Sequence, residues 1–400
     1  MKTKDGFCAK RALSAVSFAA LTFFIFFFLC AVPSLAAEGT EDLTDDISFS
    51  DIGSALPDEV RELLPEDIFS SSGTDAAEAV TEALDYENFF LWFANSLSAA
   101  LPGTLSRLSS VLGIVVLAAV FGALREAVAE KGGSPALSGA VRLASSLCLI
   151  LVLFRGEEAL FGSVYECLGR LTGVMDAFVP VMGAVYAAGG SVGAAAAQST
   201  SMLFLLAVCE NACMYVLFPM LKICFGLTLA AAVAGGIRIE GIAKTVRGMY
   251  TGILGLFMVV LISVMASKSM IAAGADTLAT RTAKLVFGNM IPVIGGAVSD
   301  SVGALAAGLS VIKSGTGALG VLLVLLLTLP MILSLLLDRV ALSLCAGAAG
   351  ILGCENERRT IEEVGELSGF ALALTAMCAM LFIFASVIFV SSNLAIGGAA

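Results

Sequence analysis

The sequence predicts an all-α fold, a polytopic membrane helix bundle, and three observations predict it. Of 400 residues, 58% are hydrophobic and only 14% are charged, at a mean hydropathy of +0.98. Soluble domains run at about 45–50% apolar and about 25% charged. Several apolar runs approach the roughly 20 residues that a helix needs to cross a bilayer core. A phrase built on proline and glycine is also written twice, at Asp176–Gly190 ("DAFVPVMGAVYAAGG") and Phe287–Asp300 ("FGNMIPVIGGAVSD"). The expected architecture is a helical bundle with an internal duplication and broken or re-entrant helices. A signal peptide and an acidic exported segment precede it.

Residues 1–36 read as the signal peptide. Lys2, Lys4, Lys10 and Arg11 form a positive start before the apolar run Leu13–Val32, and Ser34-Leu35-Ala36 fits the small-x-small cleavage rule. Cleavage is expected after Ala36 or Ala37; an uncleaved anchor helix is the alternative. Residues 37–104 are the acidic extracytoplasmic segment. Between Glu38 and Phe90 sixteen Asp and Glu face one basic residue, Arg61, so this stretch carries −15 of a chain whose net charge is −11. Its Ser and Asp content fits a loose ectodomain or a disordered spacer. Tyr86, Phe89, Phe90, Trp92 and Phe93 then crowd together, as aromatics do at a lipid–water boundary. Tyr86–Leu101 is accordingly expected to be an interfacial helix.

Residues 105–400 form the transmembrane domain. Spans are expected at Leu108–Leu124, Ala136–Phe154, Ser201–Phe218, Met249–Ser267, Gly317–Leu337 and Phe370–Val390. Two proline-led stretches, Pro219–Gly236 and Met331–Gly353, are read as further spans or re-entrant hairpins. An exported amino terminus places Arg125–Gly133 inside and the short Arg155–Glu158 loop outside. Arg238, Lys244 and Arg247 then mark a cytoplasmic loop.

The two phrases fall into register with Pro180 over Pro292 and Gly183 over Gly295, an offset of 112. Pro219 and Pro330 follow at an offset of 111, then the small-residue runs "TLAAAVAGG" and "LCAGAAG". The charged segments "IRIEGIAKTVRG" and "ENERRTIEEVGE" and a closing span complete each unit. Two repeat units are therefore expected, at about 171–267 and 283–386. Non-helical backbone at membrane depth must be sheltered by protein or water. Interrupted helices at matching positions thus point to a pathway between two halves. The plainer reading is that these prolines only start or kink helices. Glu210 and Lys222 lie in apolar text, and Asp300 flanks the run after the second phrase. Charges there need a polar interior or a partner.

The ten cysteines suit buried, unpaired thiols, with Cys209 and Cys213 on one helix face. Histidine is absent, which removes imidazole-ligated metals and His-dependent nucleophilic catalysis. No phosphate loop, zinc motif or nucleophile elbow occurs. No cofactor and no enzymatic activity are expected, and without clustered Lys and Arg no nucleic acid is expected either.

One stretch carries a resemblance. Arg281-Thr282-Ala283-Lys284, then Gly288-Asn289, then Ile291-Pro292-Val293-Ile294-Gly295 resembles the stage III sporulation protein AE family, and the order of elements agrees along nearly the whole chain. The resemblance implies a membrane protein of endospore formers, made in the mother cell and placed in the membrane around the forespore. It implies membership of a channel or feeding apparatus needed for late forespore gene expression. Its partners would be membrane lipids, other stage III sporulation membrane proteins with their cytoplasmic ATPase, and a forespore membrane partner. Arg281, Lys284, Asn289, Pro292, Gly295 and Asp300 are the candidate motif, with Pro180, Gly183, Glu210 and Lys222 along the pathway. A self-sufficient transporter of a small solute or ion and a structural docking subunit are the alternatives. Sequencing the amino terminus of the mature chain is expected to begin at Ala37 or Glu38; a chain that keeps Met1 would show an anchor instead.

Overall fold

A computed structural model describes residues 86–129, 135–188, 211–233, 241–260 and 295–391, with isolated pieces between 52 and 61, between 205 and 209, and at 262–263. Every regular element described is helical. A short turn of helix, α1 (Asp58–Arg61), precedes α2 (Tyr86–Ala129) and α3 (Pro135–Ala188). A π-helical turn, Ala212–Leu217, runs directly into α4 (Phe218–Val233). Then come α5 (residues 241–260), α6 (Gly295–Ile351) and α7 (Glu355–Ser391). Among the described residues four helices are long and apolar enough to cross a membrane: Leu91–Ala123, Ala212–Val233, Gly315–Ile351 and Glu355–Val387.

The helices run through their prolines. Pro102, Pro180 and Pro330 all lie inside continuous helix. This corrects three expectations. The interfacial helix Tyr86–Leu101 and the first span are one rod, Pro180 does not interrupt α3, and Gly317–Leu337 and Met331–Gly353 are one helix. Likewise Pro219 sits in the first turn of α4, which the π-turn joins to the preceding residues, so no hairpin opens there. The reason is a comparison of costs. A proline inside a helix removes one hydrogen bond at about 3 kcal/mol. Ending a helix frees four carbonyls, and starting the next frees four amides. In lipid each of those groups would be unsatisfied. One lost bond is the smaller penalty.

Two helical hairpins lie side by side, α2 with α3 and α6 with α7. The second hairpin turns at Gly353, whose φ of +75° lies in the left-handed region that glycine enters without a Cβ penalty. The turn is closed by Leu352 N–H to the Ala348 carbonyl at 3.0 Å and Cys354 N–H to the Ala349 carbonyl at 2.9 Å. Between hairpins, the Cys345 thiol reaches the Leu108 carbonyl at 3.7 Å and the Cys354 thiol the Val115 carbonyl at 4.0 Å. Contacts thus advance together along α2 and α6, which run parallel. The same holds for α3 and α7, where Ser145 meets Glu357, Glu157 meets Ser368, and Phe178 and Ser386 close on the same point of Gly320.

The remaining helices pack on the α3–α7 side. Phe225 of α4 stacks on Phe154 at 6.0 Å and meets Phe161 edge-on at 5.5 Å. Tyr250 of α5 stacks on Phe370 of α7 at 5.2 Å. Cys209, Cys213, Cys224, Cys345 and Cys378 are buried and free, as expected, whereas Cys148 is exposed. Cys213 has a neighbour the sequence did not suggest, the Cys378 sulfur at 3.3 Å.

Close approach at one end of the parallel pair depends on Gly320. A Cβ there would lie 2.6 Å from Ser386 Oγ and 2.8 Å from the Phe178 ring, and both residues are fully buried. Gly320→Val is expected to destabilise the bundle by about 1–3 kcal/mol through overpacking, read as a lower unfolding temperature in detergent. The same change at Gly113, where an added Cβ meets nothing within 4 Å, serves as the neutral control.

Candidate functional site

The site forms where four helices cross and each contributes one polar residue. Arg107 stands at the edge of the apolar run Leu108–Leu124 on α2. Glu157 follows Phe154 by one turn on α3. Asp338 directly follows the leucines of α6, and Ser368 precedes Phe370 on α7. Each was therefore visible as a polar residue at the margin of a greasy stretch. Only the parallel packing of the two hairpins brings the four margins to one level.

The geometry is that of a buried ionic knot. The Arg107 guanidinium donates through Nη1 to Asp338 Oδ1, and its Nη2 lies 3.6 Å from Glu157 Oε1. Ser368 Oγ completes the ring, 3.0 Å from Asp338 Oδ2 and 3.2 Å from Glu157 Oε2. The side chains of Glu157 and Asp338 are 1% and 3% exposed, against 26% for Arg107. Gly156 makes room for the cation, since a Cβ there would sit 2.6 Å from Arg107 Nη2. Gly369 does the same beside Ser368, where a Cβ would lie 2.9 Å from Nη1 of Arg339. Glu157 Oε1 is buried and makes no hydrogen bond. The Arg155–Glu158 segment, expected as a short outer loop, is thus helical and turns Glu157 into the interior. Taking an ion out of water costs several kilocalories per mole, which only close, well-satisfied partners offset.

A second polar layer lies within two turns along α7. Arg247 of α5 donates through Nη2 to Glu363 at 2.6 Å and to Thr228 Oγ1 of α4 at 3.1 Å, and through Nη1 to Glu366 at 3.4 Å. The two charged segments that the repeat reading aligned, "IRIEGIAKTVRG" and "ENERRTIEEVGE", therefore touch each other. Arg358 with Glu355 and Glu362, and Arg359 with Glu363, decorate the more exposed side of α7. Water screens exposed pairs of that kind, so they add little to stability.

The residues singled out from sequence fall elsewhere. Arg281, Lys284, Asn289, Pro292 and Glu210 lie outside the described residues. Gly295 opens α6 and Asp300 falls in its second turn. Pro180 and Gly183 lie near the end of α3, the proline exposed and the glycine half-buried. Lys222 is exposed on α4, its ammonium 4.9 Å from the centre of the Phe218 ring. A ring face attracts such a cation, so Lys222 has a local partner and stands apart from the knot. Among the described residues no group of three or more Cys, Asp or Glu side chains could hold a metal. What the knot offers chemically is fixed charge and proton acceptors.

Long apolar helices joined by buried ion pairs define a helical membrane protein. Residues 78–393 match the stage III sporulation protein AE family, and the chain belongs to that family. Among curated relatives, the stage III sporulation protein AE of Bacillus subtilis (strain 168) is 22% identical over 211 residues. That match covers 53% of this chain and 53% of the relative, so the chain spans about half the length of the curated protein it matches. No solved structure matches.

Removing the cation tests the knot. Arg107→Ala leaves the buried Glu157 and Asp338 carboxyl groups without their cation, and an expected loss of about 3–5 kcal/mol follows from the uncompensated charge. Replacing Arg107, Glu157 and Asp338 together with apolar residues of similar volume is expected to cost much less than the sum of the three single changes. Unfolding in detergent measures both.

Proposed function

We propose that this chain is a multi-pass, non-enzymatic component of the mother-cell channel or feeding apparatus that connects mother cell and forespore and supports late forespore gene expression. The family match over residues 78–393 carries the reading. The likeness at "RTAKLVFGNMIPVIGG", within that stretch, points the same way. The partners proposed with it are other stage III sporulation membrane proteins and their cytoplasmic ATPase, a forespore membrane partner, and membrane lipids. The membrane is the mother-cell membrane around the forespore, with residues 37–104 outside the cytoplasm.

The geometry suits a brace inside such an apparatus. At about 1.5 Å per residue, helices of 54 and 57 residues reach roughly 80–85 Å. The hydrocarbon core is about 30 Å thick. Rods of that length extend beyond the bilayer, and a buried knot that joins four of them transmits position from one to the next. The duplicated reading, with units at about 171–267 and 283–386, stays part of the proposal, and the ion pairs of Arg247 with Glu363 and Glu366 tie the two units together. One observation favours the transporter as a second reading: the buried Glu157 oxygen without a hydrogen bond. Reconstituted liposomes that hold this chain alone separate the two, since solute flux without partners belongs only to the transporter.

Lys284→Ala and Asn289→Ala test the proposed motif in a sporulating cell. The expected outcome is a block in late forespore gene expression with normal amounts of chain in the membrane. Normal spores from stably expressed variants would remove these residues from the site.

A further inference from the structure

We propose that the Arg107–Glu157–Asp338–Ser368 knot is a proton-binding site that holds one exchangeable proton between the Glu157 and Asp338 carboxyl groups. The inference stands on hydrogen-bond counting and does not depend on whether the protein braces a channel or conducts a solute.

A serine hydroxyl has one hydrogen to donate. Ser368 Oγ nevertheless lies at hydrogen-bond distance from two carboxyl oxygens, 3.0 Å from Asp338 Oδ2 and 3.2 Å from Glu157 Oε2. With both carboxylates ionised, one contact would set a hydroxyl lone pair against an anionic oxygen in a dry interior. A proton on one carboxyl removes the conflict: that carboxyl donates to Oγ while Oγ donates to the other. Charge counting reaches the same number. One guanidinium and two carboxylates sum to −1, and a single proton neutralises the group.

The charged and titratable groups at the knot come from several helices. From α2 comes Arg107, from α3 Glu157, from α6 Asp338, and from α7 Ser368. Arg339 of α6 lies against Gly369, and Cys345 of α6 is an uncharged thiol neighbour. Arg247 of α5 is engaged by Glu363, Glu366 and Thr228. Independently of these contacts, Glu157 Oε1 is buried, lies 3.6 Å from Arg107 Nη2 and has no hydrogen bond. It is an acceptor turned into the cluster without a donor. A proton suits this place better than a metal ion. Hard cations demand six or more oxygen ligands, and Arg107 already occupies the cationic position beside both carboxylates.

The test uses the full chain in lipid nanodiscs, with infrared spectra recorded as pH is raised. Wild type is expected to show a protonated-carboxyl C=O band at neutral pH that disappears on titration to alkaline pH. Glu157→Gln and Asp338→Asn each keep the shape of the site and leave one carboxylate opposite Arg107, so each is expected to lose that band. Only the folded knot brings the two carboxyl groups together to share this proton. Wild-type unfolding temperature therefore falls as pH rises through the titration, and that fall is expected to vanish in both variants. If one variant does not fold, the other carries the same comparison. Absence of the band in wild type at neutral pH, or its survival in the variants, would overturn the proposal.

Discussion

The guanidinium of Arg107 faces two carboxylates that arrive on different helices, and the rest of the bundle is arranged to keep it so. A charge that leaves water must meet its partner at short range, because the desolvation cost is not recovered otherwise. That requirement fixes the level at which α2, α3, α6 and α7 cross. Sliding α3 by one residue would turn Glu157 away from Arg107 and set Gly156 or Glu158 in its place. The small residues around the knot follow from the same constraint. Gly156 and Gly369 stand where a side chain would displace a guanidinium. An ion pair of this kind adds little net stability compared with an apolar core, and its best-attested use is to specify register.

Lipid imposes the second constraint, on the backbone. Proline in the text suggests interruption, yet three of the prolines lie within unbroken helix. For Pro102 and Pro330, which lie in helices long and apolar enough to cross a membrane, the medium decides this, since it offers no donors or acceptors to a broken turn. Thr104 donates to the Ala100 carbonyl near Pro102, and Ser334 to the carbonyl of Pro330 itself. The π-turn at Ala212–Leu217 is another way of continuing a helix while shifting its face. It presents Cys213 and Leu217 to the core and Cys213 to Cys378 of α7.

These two constraints connect the family assignment to the geometry. All four knot residues fall within the stretch that matches the family, whereas the acidic segment falls largely before it. The polar layer at Arg247 adds a second tie between α5, α4 and α7, so the later helices are held to the same core as the first hairpin. Contacts run along α3 and α7 from Ser145 and Glu357 at one end to Phe178 and Ser386 around Gly320 at the other.

By itself the sequence determined the class. Hydrophobic content and run length are summed properties, and they gave helices in a membrane, free buried thiols and a site without histidine chemistry. The family resemblance was legible too, at Arg281–Gly295, because it rests on local order. The sequence also showed that Arg107, Glu157, Asp338 and Ser368 stand at the margins of apolar runs. It could not say that they meet, and it placed Glu157 in an outer loop. Pairing across 211 and 231 residues depends on which hairpin lies against which, and on parallel packing between them. The tertiary structure alone decided that, because a buried charge is stable only where a partner from a distant segment arrives at the same depth.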